Sequence, residues 1–403
     1  MKKILLTTTA LVAAGFLSSA ALADSASDSF DTSSKPAGIS LGLGGYYKAA
    51  AGFVDSDLQS AREYAVQHDV EVYFTGETTL DNGLTVGARI ELDTDDSSAT
   101  TETKADERYA YFRGSWGELR AGNEDSARRL LSVQAPEPSS VFSSGDGYIN
   151  MKELDLATGV ATFDNLVGIG FDGENDTVAD LEGDDAKLIY FTPSFNGLTL
   201  GVSFTPEVGR DGTAVSNGVS GNDQTTEGDV ISLAALYEGD FDGVGVKASL
   251  GYESTDGGKA GGTAAGAQVD DRDALAFGLQ FNVSEWYFGG SYGMFDDFST
   301  TTGAAVTESD LEFDVYDLGV VWAPGDYSVG LSYSSGDYEA TTGGAEVELD
   351  TWQVSGAYTL GQGIDLVGAI QFNDLDADGI TGITAAEADQ ESTAVLVGTD
   401  IRF

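Results

Sequence analysis

Apolar residues recur two apart along most of the chain. LTLGVSF sets Leu198, Leu200, Val202 and Phe204 on one side against Thr199, Gly201 and Ser203 on the other. LAFGLQFNV repeats this with Leu275, Phe277, Leu279, Phe281 and Val283 against Ala276, Gly278, Gln280 and Asn282, and YSVGLSY does so with Tyr327, Val329, Leu331 and Tyr333. Successive side chains of a strand point to opposite faces, so a period of two predicts strands, each with one greasy and one polar face. Counted along the chain, the signal predicts an all-β protein of sixteen strands. They fall near 39–53, 64–79, 84–95, 103–115, 118–123, 186–194, 198–208, 228–240, 244–255, 272–283, 286–296, 309–323, 327–338, 346–360, 364–375 and 389–403. Alternation alone does not say which face is inside. A soluble sandwich with its greasy faces packed together and a barrel with its greasy face outward share it.

The connections separate the two. Short links (LDNGL at 80–84, SFNGL at 194–198, FDGV at 241–244, VSEW at 283–286, APGDY at 323–327, LGQGI at 360–364) alternate with long polar ones such as DTDDSSATTETKAD and STDGGKAGGTAAGAQVDDRD. All short turns then lie at one end of an up-and-down meander. That is the layout of a transmembrane antiparallel β-barrel with short periplasmic turns and long extracellular loops, and an even strand count lets the last strand close on the first. Trp116, Trp286, Tyr287, Trp322, Tyr327 and Tyr358 cluster near strand ends, as an interfacial girdle would, although aromatics favour strands in any setting. The third long connection, about 124–185, is far longer than the rest. Sixteen strands enclose an aqueous channel, and such a loop is expected to fold inward and narrow it.

Charge and composition sharpen this picture. With 67 acidic and 19 basic residues the net charge is −48, which excludes nucleic acid as a partner. There is no Cys, so no disulfide staples the fold; a closed hydrogen-bonded ring needs none. MKKILLTTTALVAAGFLSSAALA, residues 1–23, has the basic start, apolar middle and Ala-Leu-Ala end of a cleaved signal peptide, leaving 24–403 as one barrel domain. Beyond it no apolar run approaches the roughly 18 residues of a spanning helix. The single His, His68, leaves a barrel hydrolase open as an alternative, without a Cys nucleophile or zinc-type cluster. GLGG at 42–45 is no phosphate cradle, because no helix follows it.

NDLDADG at 373–379 has the opening of a calcium loop in Asp374, Asp376 and Asp378, but its twelfth position is Ala385 and helices are absent. No cofactor is required. Ca2+ is a candidate ligand there and in DGENDTVADLEGDD at 172–185, where it could bridge subunits or lipopolysaccharide phosphates.

Three hairpins carry a family resemblance. DVEVYFTGETTLDNGLTVGARIELD, ERYAYFRGSWGELRAGNED and LIYFTPSFNGLTLGVSF resemble those of Gram-negative general porins of alphaproteobacterial type, and Phe403 resembles their assembly signal. The resemblance implies a homotrimeric, water-filled channel for passive diffusion of small hydrophilic solutes and cations. Its other partners would be outer-membrane lipid and lipopolysaccharide, periplasmic chaperones and the barrel-assembly machinery. It also implies an eyelet in which loop acids face basic residues across the pore. Strand parity points Lys48, Arg89, Arg108 and Arg120 into the lumen. The acidic candidates are Glu124 and Asp125, with Glu137, Asp146 and Glu153 behind them, and Arg128 and Arg129 are alternative partners for those acids. The loop departs from the family pattern in its length and in carrying PEPSS at 136–140. Residues 123–185 hold fourteen acids and three bases, which predicts mild cation preference, and the porin resemblance implies size exclusion. A solute-selective porin, a barrel enzyme using His68 and an adhesin are the alternatives.

Overall fold

The computed structural model describes residues 38–57, 63–93, 104–145, 147–149, 151, 175–208, 228–256, 271–296, 311–340, 344–379 and 388–403. The proposed signal peptide lies outside them. The strands are β1 Ser40–Ser56, β2 Tyr64–Thr79, β3 Thr85–Asp93, β4 Lys104–Gly114, β5 Gly117–Asn123, β6 Ala186–Phe191, β7 Leu198–Glu207 and β8 Gly228–Phe241. They continue as β9 Val244–Asp256, β10 Asp273–Val283, β11 Trp286–Asp296, β12 Leu311–Trp322, β13 Tyr327–Ala340, β14 Ala345–Gly361, β15 Ile364–Asp378 and β16 Asp389–Arg402. One helical turn, α1 Ala127–Leu130, sits in the third long loop.

Each strand pairs antiparallel with its sequence neighbours and β16 closes on β1, so the sheet is a barrel without an edge. The closing seam runs from Tyr46 opposite Arg402 to Ser56 opposite Ser392. Gly45 N–H donates to the Phe403 carbonyl at 2.9 Å and Phe403 N–H donates back to Gly45 at 3.1 Å. Short turns use left-handed residues, as in Asp242 (φ 53°) and Gly243 (φ 89°) between β8 and β9, a pair that matches the twist of a tight hairpin.

The greasy face is outside. Leu198, Leu200, Val202 and Phe204 of β7 are all exposed, whereas Thr199, Ser203 and Thr205, at the alternate positions, are buried. In hydrocarbon this is the stable arrangement. Trp286 stacks 6.1 Å from Trp322, which meets Tyr327 edge-on at 5.8 Å, beside the short turns. Towards the long loops Tyr316, Tyr333 and Trp352 form a second aromatic row, with Tyr333 4.6 Å from Trp352.

Beyond that row the outer face turns acidic. Asp314, Asp337, Glu348, Asp376 and Asp389 stand side by side across five strands. Here the expectation of a calcium-type loop is corrected: Asp374, Asp376 and Asp378 lie two apart on the outer face of β15. Leu375 and Ala377 continue the alternation and are buried inward, so the aspartates take the outward positions and the chain does not curl around an ion.

Residues 126–145 of the long loop lie against the inner wall and follow it round. Backbone N–H groups of Ala127, Arg128, Val133 and Ala135 donate to Ser203 (3.1 Å), Ser232 (2.9 Å), Ser249 (2.9 Å) and Asp317 (3.1 Å), on β7, β8, β9 and β12. Carbonyls of Gln134 and Ser143 accept from Gln280 (2.7 Å) and Gln371 (2.9 Å) of β10 and β15. The polar inner face is therefore also a bed that satisfies loop backbone, which would otherwise lose its hydrogen bonds on leaving water.

Glycines let the loop approach closely. A Cβ at Gly278 of β10 would collide with the Val133 carbonyl, one at Gly319 of β12 would come 2.6 Å from the Pro136 oxygen, and one at Gly330 of β13 would come 2.7 Å from Pro138. A Gly278→Leu substitution is expected to push the loop into the lumen and lower single-channel conductance. Gly245→Leu, at an inner-wall site whose nearest neighbour is Asn282 at 3.4 Å, should leave it unchanged. Equal conductance of the two variants would remove the glycine bed as a determinant of pore width.

Candidate functional site

The loop leaves and rejoins the wall at one place. Asn123, the last residue of β5, donates from its side chain to the Asp184 carbonyl at 2.7 Å, tying the loop's two ends together. Ser126 caps α1: its hydroxyl accepts from Arg129 N–H at 3.2 Å and donates to Asp180 at 2.7 Å. Leu130, Leu131 and Val133 then pack on Ile189, Phe191 and Leu236 of the wall. At the far end Phe142, Ile149 and Met151 pack on Ala50, Val54 and Leu396. Apolar contacts at both ends and hydrogen bonds between them hold the constricting segment.

The expected basic wall is arranged differently from a row facing loop acids across water. Arg120 points inward but is only 3% exposed, because its guanidinium lies between Glu118, at 2.7 Å, and Glu124. Glu124 is thus brought to Arg120 on the same wall; the chain turns directly after β5, which puts the two four residues apart and in contact. Lys48 also faces inward, between Asp69 of β2 and Asp400 of β16. Loop residue Tyr148 covers it, and its ammonium also lies 3.9 Å from the Tyr46 ring centre. Arg89 faces inward, pairs with Glu91 and lies 4.1 Å over the Tyr73 ring, keeping 30% side-chain exposure.

Arg108 is a correction. It stands opposite Ile90, on the outer face shared with Ala110 and exposed Phe112, while Tyr109 and Tyr111 are buried inward. The run ERYAYFR carries charges at both parities, and register with β5, where Tyr111 is opposite Arg120, decides which set faces in. The same register gives Arg113 an inward place that parity from Arg108 missed; it pairs with Glu118 at 2.6 Å and keeps 32% side-chain exposure.

Arg129 pairs with Asp125, one of the loop acids expected for it, whereas Arg128 pairs with acids outside the expected set. Buried Arg128 lies 3.5 Å from Glu253 of β9 and 3.7 Å from Asp180, and Arg129 reaches Asp176 at 2.7 Å and Asp125 at 3.6 Å. Lys187 pairs with Glu182 at 3.3 Å. The 176–182 acids are thereby used in ion pairs with the protein's own cations. Glu137 accepts from Ser144 N–H (3.3 Å) and from the Ser355 hydroxyl (3.4 Å). Burial pushes its carboxyl up to about 7, against hydrogen bonds from Ser332, Ser144 and Gln353. Burial, with Asp106 nearby, likewise raises Asp184 to about 7. Asp146 and Glu153 lie outside the described residues. Phe403 is exposed on the outer rim, and His68 is on the outer face of β2, stacked 6.2 Å from Tyr47.

The loop's hydrogen bonds to the wall run from β7 round to β15, and β2–β3 keep Glu71, Tyr73, Glu77 and Arg89 half-buried on the inner face. Among the described residues of β2–β4, Asp69, Glu71 and Glu77 share this half-buried inner face with Arg89 and Arg113, while Glu91 and, on β5, Glu118 are buried against arginines.

Comparison with solved structures gives the same architecture. OmpT of Vibrio cholerae in its trimer form is similar with a TM-score of 0.57 over 91% of this chain and 100% of that one, at 11% identity. The anion-selective porin from Comamonas acidovorans gives 0.56 over 91% and 100%, at 19% identity. The outer-membrane channel DcaP of Acinetobacter baumannii gives 0.57 over 92% and 99%, at 13%. No curated protein matches in sequence. The family profile described as Gram-negative porin matches residues 7–378. That match runs from ahead of the first strand to the end of β15, and the chain therefore belongs to the Gram-negative porin family: it is a passive channel of the outer membrane.

Proposed function

We propose that the protein is a homotrimeric diffusion channel for small hydrophilic solutes and ions, with a size limit set by the wall-bound loop and a mild preference for cations. The observation that carries this reading is that Asp69, Glu71 and Glu77 stand against only Arg89 and Arg113 on the half-buried inner face of β2–β4, while Lys48 and Arg120 are covered or paired. Fold relatives include an anion-selective porin, so selectivity rests on side chains and not on the barrel. The trimer is supported by the trimer form of the fold relative OmpT.

A solute-selective porin is the second reading. It draws on a crevice of about 170 Å³ between α1 and the β5–β6 wall, with Leu130, Leu131, Phe191 and Leu236 in its floor and Arg113 and Glu118 at its edge. Concentration-dependent block of ion current by one solute class would favour it.

The zero-current potential across a planar bilayer in a KCl gradient should show cation preference, weakening in concentrated salt because exposed charges are screened within about 8 Å even at physiological strength. Anion preference would overturn the reading. Glu137 and Asp184 titrate near 7, carrying full charge above that and losing it below. Cation preference should therefore fall as pH drops from about 8 to about 6. Glu137→Gln should lower the preference at the higher pH and flatten the pH profile; an unaltered profile would remove Glu137 from the conducting path.

A further inference from the structure

We propose that the root of the loop is a divalent-cation site formed by Glu107 of β4 with Glu124 and Asp125. One carboxylate oxygen from each lies within 4.8 Å of the other two. Acidic clusters are common on this protein and most need no ion. This one differs in Glu124, which is 1% exposed. Its Oε2 accepts from Arg120, and its Oε1 is buried without a hydrogen-bond partner. A carboxylate oxygen shut away from water and unpaired is costly, and the cost is relieved by a proton or by a cation.

The protein's own cations are already engaged. Arg120 is shared between Glu118 and Glu124, Arg129 between Asp125 and Asp176, and Lys187 is held by Glu182 and by the Gly183 carbonyl at 2.6 Å. Three hard oxygen donors from separate side chains suit calcium. Calcium takes oxygen ligands at about 2.3–2.6 Å in flexible geometry, whereas magnesium demands near-ideal octahedral placement. With three protein carboxylates, water completes the shell and the ion exchanges with the lumen.

Such an ion would do two things. It would clamp β4 to the first residues of the loop, beside the Asn123–Asp184 tie. It would also cancel negative charge at the neck, so external calcium would tune the cation preference proposed above; only this second consequence rests on that reading.

The test is calcium titration of the folded, chelator-stripped protein in detergent, by calorimetry and by terbium luminescence, beside zero-current potentials with and without calcium. Glu107→Gln and Asp125→Asn should each weaken the tightest binding by about tenfold or more, because affinity follows ligand charge. Glu346→Gln, in the exposed outer trio Asp337, Glu339 and Glu346, should not. Calcium should reduce cation preference in the parent protein and not in Glu107→Gln. Unchanged binding in both inner variants, or equal loss in Glu346→Gln, overturns the site. So does the absence of any calcium binding to the parent protein. Calcium binding that depends on Glu107 in a protein without cation preference would keep the site and sink the selectivity reading instead.

Discussion

Backbone pairing in hydrocarbon is the constraint on which the rest of the structure depends. An N–H or C=O turned to lipid has no water to bond, so every strand must have two neighbours and the first must meet the last. The β1–β16 seam, closed down to the reciprocal bonds between Gly45 and Phe403, meets that requirement. Closure with sixteen strands makes a ring too wide for wall side chains to fill. The space is narrowed from within, by a loop that the wall must hold.

Holding it shapes the wall. Loop backbone entering a barrel needs partners as urgently as strand backbone does, and Ser203, Ser232, Ser249, Gln280 and Gln371 supply them. Glycines such as Gly278 and Gly319 leave room for carbonyls to lie flush. Charges follow the same logic. Arg128, 1% exposed, is enclosed with Glu253 and Asp180, where loss of one partner would strand the others without water. Arg128 and Arg129, the cations among the loop's described residues up to Met151, are consumed in this way.

Much of the fold was legible from alternation. Strand bounds near β2 and β11 coincide with the structure, and elsewhere they shift by no more than about three residues, the ordinary uncertainty of strand ends. Where reading by parity failed, the cause is specific. In ERYAYFR both parities carry an arginine, and only pairing with β3 and β5 put Arg108 outside with Ile90 and Arg113 inside with Glu118. In NDLDADG a turn-like composition hid a strand, because Leu375 and Ala377 needed burial and three aspartates at alternate positions did not.

By itself the sequence determined the class of solvent the barrel meets, the strand count and the end at which the short turns lie, because these follow from local period and connection length. Only the tertiary structure decided what the inner face does. Ala135 bonds Asp317 and Gln280 bonds the Gln134 carbonyl across more than a hundred residues of chain, contacts that no local pattern encodes. The same long-range folding took Glu124 to Arg120 and Tyr148 over Lys48, so that charges expected to face each other across water are instead paired or covered.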